Sequence, residues 1–381
     1  MVVKWLSGQE VAVEPVGKAI PARMASLDLL RLAAALAVVL FHYLFGGAIA
    51  GSLDVEYPAA APYAIYGYLG VNLFFLISGF VIAWSAEGRT WQEFAVARFA
   101  RLYPGFLVCM TATFVVLVVA KDQRFPTDVP TYVANLSMFA RLFGRPSMDG
   151  VYWSIMLEIL FYGWVAVLIF AGAFQRWKIP IAAIWLAVSA INEFFFENPV
   201  IRILFITNYA PYFAAGILAE DIVARGRSPA AFLFLAVAFL VSCQTIMFSH
   251  NWMQERFGAA ISYPALFTAN IVVYGAFAGA ILLSSVIAPS KAIMMLGGLT
   301  YPLYLLHQYI GYISLNALAP HVGKNAALFV VLAGTLLASF LVWRFIETPV
   351  RRPLIRALVS GIYRLAPASQ PIRPTSPART S

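Results

Sequence analysis

Charge is what this sequence has least of. Only 11% of its 381 residues are Asp, Glu, Lys or Arg, and 62% are hydrophobic, whereas a soluble domain carries roughly a quarter charged residues. Such a chain has too little polar surface to cover a water-soluble fold. Cysteine is equally scarce: Cys109 and Cys243 both lie inside apolar stretches. That excludes a disulfide framework and a four-ligand metal site, and both cysteines read as packing residues. The apolar stretches also lack the alternating period of a membrane barrel. They run unbroken for the 18 or more residues that a helix needs to cross roughly 30 Å of hydrocarbon. A net charge of +9 is spread between these stretches without a dense basic patch, so nucleic acid is not an expected partner. The first two dozen residues have no compact apolar core ending in a small-residue cleavage site, and no cleaved signal peptide is expected.

What is present is a series of spans, placed at about 27–46, 66–85, 102–120, 152–173, 179–192, 203–222, 229–248, 265–287, 296–317 and 325–343. The fold class is therefore all-α: a polytopic integral membrane protein with about ten transmembrane helices. Ten spans put both termini on one side. Eighteen of the 26 basic residues fall in the N-terminal segment, the even-numbered loops and the C-terminal tail. Seven fall in the odd-numbered loops, and Arg31 lies within the first span. The positive-inside tendency then makes both termini cytoplasmic. Residues 1–25 form a cytoplasmic segment, 26–352 the transmembrane domain and 353–381 a largely disordered, Pro-rich cytoplasmic tail. In the longest loop, residues 132–143 suit an interfacial or re-entrant helix better than a crossing.

Ionisable side chains in a bilayer cost roughly 2.5 kcal/mol or more at a helix centre, so each is a candidate for function. Arg31 opens the first span and His42 lies eleven residues on, about 16 Å further along the axis. The fourth span runs the opposite way through Trp153, Ser154 and Glu158, which brings Glu158 to a similar depth as His42. An imidazole is suited to proton transfer near neutral pH, and a carboxylate within reach orients it. Together they can deprotonate a hydroxyl; the alternative for each is a structural hydrogen bond to a neighbouring helix. Tyr152 and Trp153 also fit an interfacial aromatic belt.

At the other membrane face Arg98 and Arg101 lie one helical turn apart. With Arg31 they form a cationic mouth suited to a phosphorylated ligand such as coenzyme A, the alternative being ordinary anchoring at the cytoplasmic boundary. Tyr301, Tyr304 and His307 recur every three residues in the ninth span. They share a polar stripe that should face the protein interior, as catalytic groups, as glue between helices or, by preference, as a substrate lining. Glu347, before Pro349, reads as a structural clasp to a nearby arginine at the end of the last span.

These segments resemble the acyltransferase 3 family of bacterial inner-membrane proteins, over nearly all of residues 26–352. The matching features are Arg31 and His42 with ten residues between them, the stretch from Gly70 to Phe80, and Arg98 with Arg101 before Pro104. Trp153-Ser154 followed by Glu158 and Phe161-Tyr162, the Tyr301 to His307 stretch and Glu347 before Pro349 complete the match. Leu29 and Leu32 stand where many relatives carry glycines, Thr300 where serine is common, and no esterase-like domain follows the membrane domain. The resemblance implies a multi-pass protein of the bacterial inner (plasma) membrane. Its donor would be cytoplasmic acyl-CoA, first acetyl-CoA and next succinyl-CoA, with no metal. The acceptor would be an extracytoplasmic glycan or glycolipid hydroxyl. His42, supported by Glu158, would be catalytic, by direct transfer in preference to an acyl-enzyme. Arg31, Arg98 and Arg101 would hold the donor, and Trp153, Ser154, Tyr301, Tyr304 and His307 would line the substrate path. The rival reading is a proton-coupled transporter or glycan exporter that uses His42, Glu158 and His307 as a relay. It predicts internal repeats and broken paired helices, and the sequence displays neither.

Overall fold

The computed structural model describes residues 24–226, 228–259 and 261–365. Expectations for the segment before Met24 and for the tail after Leu365 lie outside the described residues. Among the described residues there is no strand. The helices are α1 (Ala25–Ile49), α2 (Ala61–Ser85), α3 (Trp91–Ala120), α4 (Val129–Asn135), α5 (Gly150–Phe170) and α6 (Lys178–Phe196). They continue as α7 (Ala210–Arg225), α8 (Pro229–Phe257), α9 (Tyr263–Ser285), α10 (Lys291–Leu306) and α11 (Gln308–Val322). α12 (Lys324–Val342) and α13 (Thr348–Leu365) close the order. Among the described residues, eight helical runs are long and apolar enough to cross a membrane: α1, α2, α3, α5, α6, α8, α9 and the run Lys324–Ile362.

α7 is shorter, yet its residues from Ala210 to Asp221 are all buried. It packs against α2, α8 and α6. The α2–α7 crossing is a backbone-to-backbone contact. A Cβ added at Gly79 would meet the Phe213 carbonyl oxygen at 2.2 Å, and one at Gly216 would meet that of Leu76 at 2.2 Å. Small residues let helices approach where lipid supplies no hydrophobic drive for association. On the other side of α2, α1 packs against both α2 and α10.

Three π turns interrupt the helices, at His42–Gly46, Asn192–Phe196 and Trp343–Glu347. Such turns concentrate at functional sites because the extra residue re-aims side chains. The middle one carries Glu193, which accepts from Asn192 and Thr207 and accepts three bonds from Arg202. The other two carry site residues described below.

Several expectations need correction. Pro349 does not end the last helix: α12 passes through its π turn into α13, and residues 353–365 are helical rather than part of a tail. The 39-residue run Lys324–Ile362 spans about 58 Å, well beyond the hydrocarbon thickness, and α13 packs along α3. The ninth span is broken at His307, where α10 gives way to α11. Tyr152 is not a belt aromatic. It is buried, and its hydroxyl donates to the Leu305 carbonyl at 3.3 Å. Residues 132–143 form the end of α4 and a 3-10 turn, Ala140–Phe143, tied down by the Asn135 side chain, which bonds Pro146 and Met148. At the same end of the bundle Arg124 joins Asp122 and Asp54, and its guanidinium holds the Asp122 carboxyl below the usual range.

Candidate active site

A cavity of about 720 Å³ opens between α1, α2, α3, α5, α10 and the α12–α13 junction. Five guanidinium groups line it, those of Arg31, Arg98, Arg101, Arg351 and Arg352, against three carboxylates, Asp28, Glu158 and Glu347. The excess of two positive charges suits an anionic ligand. Each of the three arginines singled out from sequence is thus on the cavity, but they are not equivalent. Arg101 is ion-paired with Glu347 and lies over the Tyr301 ring at 5.5 Å. Arg31 is 3.8 Å from Asp28. Arg98 lies over the rings of Phe94 and Tyr162, at 5.8 and 6.0 Å. Its Nε is buried without a hydrogen-bond partner among the described residues, and unlike Arg101 it is not ion-paired with Glu347, so its charge is less neutralised toward an incoming anion.

Glu158 belongs to this cavity and not to His42. Its Oε1 accepts from Ser78 Oγ at 2.9 Å and from the Tyr162 hydroxyl. Among the described residues no hydrogen bond joins it to His42. Glu158 shares the cavity instead with Arg31, eleven residues before His42 on α1. Ser154 and Tyr304 also line the cavity, and their hydroxyls bond each other at 2.6 Å. Tyr301 lines it too, donating to the Leu102 carbonyl at 3.1 Å. Trp153 is not among the lining residues; its ring packs on Tyr209, 5.4 Å between centroids.

His42 and His307 are likewise absent from the lining. They lie beyond the Ser154–Tyr304 pair, with the Tyr304 ring centroid 5.7 Å from that of His307. The two imidazoles meet: His307 Nε2 is 3.0 Å from His42 Nδ1. His42 Nδ1 also faces the Val38 carbonyl at 2.9 Å. His307 is fully buried, and the Tyr43 hydroxyl donates to its carbonyl at 2.7 Å. His307 therefore lies against His42 and outside this cavity. Among the described residues no group of three His, Cys, Asp or Glu side chains is arranged to hold a metal ion.

Sequence reasoning missed Arg351 and Arg352, which it left at the boundary that closes the transmembrane domain. It also missed Asp28, Ser78 and Tyr162 as partners within the cavity. Their signal was available in part, since each is a polar side chain at or inside the end of an apolar run.

Bundle and cavity together define a multi-pass membrane protein with an internal, net-cationic binding chamber and a histidine pair next to it. The model of the acyltransferase domain matches residues 24–344, and the chain belongs to the acyltransferase 3 family. It is 25% identical over 315 residues to the exopolysaccharide production protein ExoZ of Rhizobium meliloti, covering 78% of this chain and 93% of that one. It is 27% identical over 157 residues to the acyltransferase MdmB of Streptomyces mycarofaciens, covering 38% of this chain and 37% of that one. No solved structure matches the chain.

Proposed function

We propose that this acyltransferase takes an acyl group, an acetyl group first and a succinyl group next, from cytoplasmic acyl-CoA. It passes that group to a hydroxyl of an extracytoplasmic glycan or glycolipid. The single observation that carries the reading is the cavity, with five arginines against three carboxylates. Its size lies in the roughly 300–1,000 Å³ range of small-molecule sites. Arginine is the side chain best matched to phosphate, and the nucleotide end of the donor would rest against Arg98, Arg31 and Arg101. Ten crossings with both termini on the cytoplasmic side, as the distribution of Lys and Arg favours, put the arginines inside and His42 toward the periplasm of the bacterial inner membrane.

In this reading the thioester is threaded past the Ser154–Tyr304 pair toward His42, and the acceptor arrives from the opposite face. His42 removes the acceptor's hydroxyl proton as its oxygen attacks the thioester carbonyl. The new ester C–O bond forms, the C–S bond breaks, and the proton returns from His42 to the departing coenzyme A thiolate. Glu158, held by Ser78 and Tyr162, shapes the cavity instead of assisting His42. Incubating the purified protein with labelled acetyl-CoA and candidate glycans tests the proposal. Label should appear in the glycan and be lost with His42→Ala; a glycan that stays unlabelled, or labelling that survives His42→Ala, refutes it.

A further inference from the structure

The roles of the two imidazoles follow from the atoms around them. His307 Nδ1 lies 2.8 Å from the Tyr304 carbonyl and 3.1 Å from that of Leu303. A carbonyl oxygen only accepts, so this nitrogen carries the proton, and in the neutral ring Nε2 is left as an acceptor. His42 Nδ1 faces the Val38 carbonyl at 2.9 Å and His307 Nε2 at 3.0 Å. Both of those partners accept, so His42 Nδ1 must be the protonated nitrogen, shared between them. The reverse arrangement would set bare ring nitrogens against three carbonyl oxygens.

We infer that His307 is a positioning residue for His42, accepting its Nδ1–H so that Nε2 is the lone-pair nitrogen presented for the reaction. The inference rests on the reading of His42 as the reacting group, and it deepens that reading by replacing Glu158 with His307 as the supporting partner. When His42 Nε2 takes up a proton, the ring becomes a cation and its Nδ1–H donates more strongly to a neutral acceptor already in place. An imidazole can fill this role inside a bilayer without a buried negative charge, which a carboxylate would bring.

The surroundings are built to hold His307 still. It sits at the α10–α11 break, and its carbonyl receives the Tyr43 hydroxyl, the residue after His42. Tyr43 reaches that carbonyl because Gly311 leaves room: a Cβ there would lie 2.1 Å from the Tyr43 hydroxyl oxygen. The π turn starting at His42 is closed by the Gly47 N–H on the His42 carbonyl. The main chain of α1 is thereby re-aimed at the residue whose ring must meet His307.

Two measurements test this. With only four histidines in the chain, 15N-histidine spectra of the protein in lipid nanodiscs can be assigned by single substitutions. His42 and His307 should each show a protonated Nδ1 and an unprotonated Nε2; a protonated Nε2 on His307 overturns the inference without any variant. In kinetics, His307→Phe keeps bulk but removes the acceptor, and it should lower kcat roughly tenfold to a hundredfold while leaving the donor KM within about twofold. His307→Gln, which places an amide oxygen near the former Nε2, should recover most of that loss. A His307→Phe enzyme with wild-type kcat, or a His307→Gln enzyme no better than His307→Phe, overturns it. Should His307→Phe fail to fold, His307→Gln and the spectra decide. His42→Ala, assayed in parallel, separates the two claims: activity there removes the proposed function itself, whereas an inactive His42→Ala beside a normal His307→Phe removes only the role of His307.

Discussion

Gly79→Ala offers a demanding test of the architecture. The added Cβ would lie 2.2 Å from the Phe213 carbonyl oxygen, where ordinary contact begins at 3.4 Å, so α2 and α7 must separate by about 1.2 Å. No side chain can swing aside, because the obstacle is main chain. Overpacking of this kind costs about 1–3 kcal/mol, and the rigid obstacle puts Gly79→Ala at the upper end, about 3 kcal/mol. Gly216→Ala meets the same seam from α7, at 2.2 Å from the Leu76 carbonyl oxygen and 2.9 Å from Gly79 Cα. The double variant should therefore cost much less than the sum of the singles, since the first separation makes room for the second methyl group. Activity should fall as well. Ser78, which bonds Glu158 at 2.9 Å, adjoins Gly79, and displacements near 1 Å at a reaction site can cost about a hundredfold. Thermal unfolding followed by tryptophan fluorescence in nanodiscs measures the first effect and acyl transfer the second. Gly163→Ala, where an added Cβ meets nothing within 4 Å, is the control. Gly79→Ala and Gly216→Ala proteins as stable and active as Gly163→Ala would refute the reasoning.

The charge arrangement of the cavity yields further expectations. Arg98→Ala should weaken acyl-CoA binding roughly tenfold to a hundredfold and more than Arg101→Ala does, because Glu347 already neutralises Arg101; isothermal titration that ranks them in reverse argues against the assignment. Replacing Arg351 and Arg352 together with serine should weaken donor binding, flatten its salt dependence and shift stability by no more than about 0.5 kcal/mol, as read by titration at two ionic strengths and by thermal unfolding. Arg124→Ala should speed amide exchange in residues 51–56 while costing no more than about 1 kcal/mol. The Asp122 carboxyl has a depressed pKa, so its part of that clasp is present above the unfolded value near 3.9 and lost as pH falls through the folded one. Exchange in the same segment should therefore rise on acidification, and a segment indifferent to both changes would exclude the clasp.

Much of this was readable in the chain beforehand, and the exceptions share a cause. Periodicity and length revealed the apolar helices, because lipid admits few alternatives. Arg31, Arg98 and Arg101 stood out as charges at the ends of apolar runs and do converge. Residue counting placed Glu158 level with His42, but it leaves open how far one helix slides past another and which way each faces. In the structure Glu158 shares the cavity with Arg31, eleven residues before His42 on α1, and bonds Ser78 and Tyr162. The stripe of Tyr301, Tyr304 and His307 was visible too. What splits it, the break at His307 and the Ser154–Tyr304 bond, depends on a partner helix far away in sequence. Arg351 and Arg352 were hidden by Pro349, which normally argues for a helix end but here stands inside the continuous run Lys324–Ile362, just past the π turn Trp343–Glu347, and such local π adjustments accommodate the backbone group that a proline frees.

The hydroxyl pair of Ser154 and Tyr304 has a consequence for bioenergetics. A protein that offers water a hollow on one face of an energised membrane risks a short circuit, since protons and small ions follow continuous water. Ser154 and Tyr304 line the chamber and the histidines do not, so under the proposed orientation their bonded hydroxyls would stand between the chamber's water and the histidine pair. The chamber would then stay open between turnovers without completing a water path across the membrane.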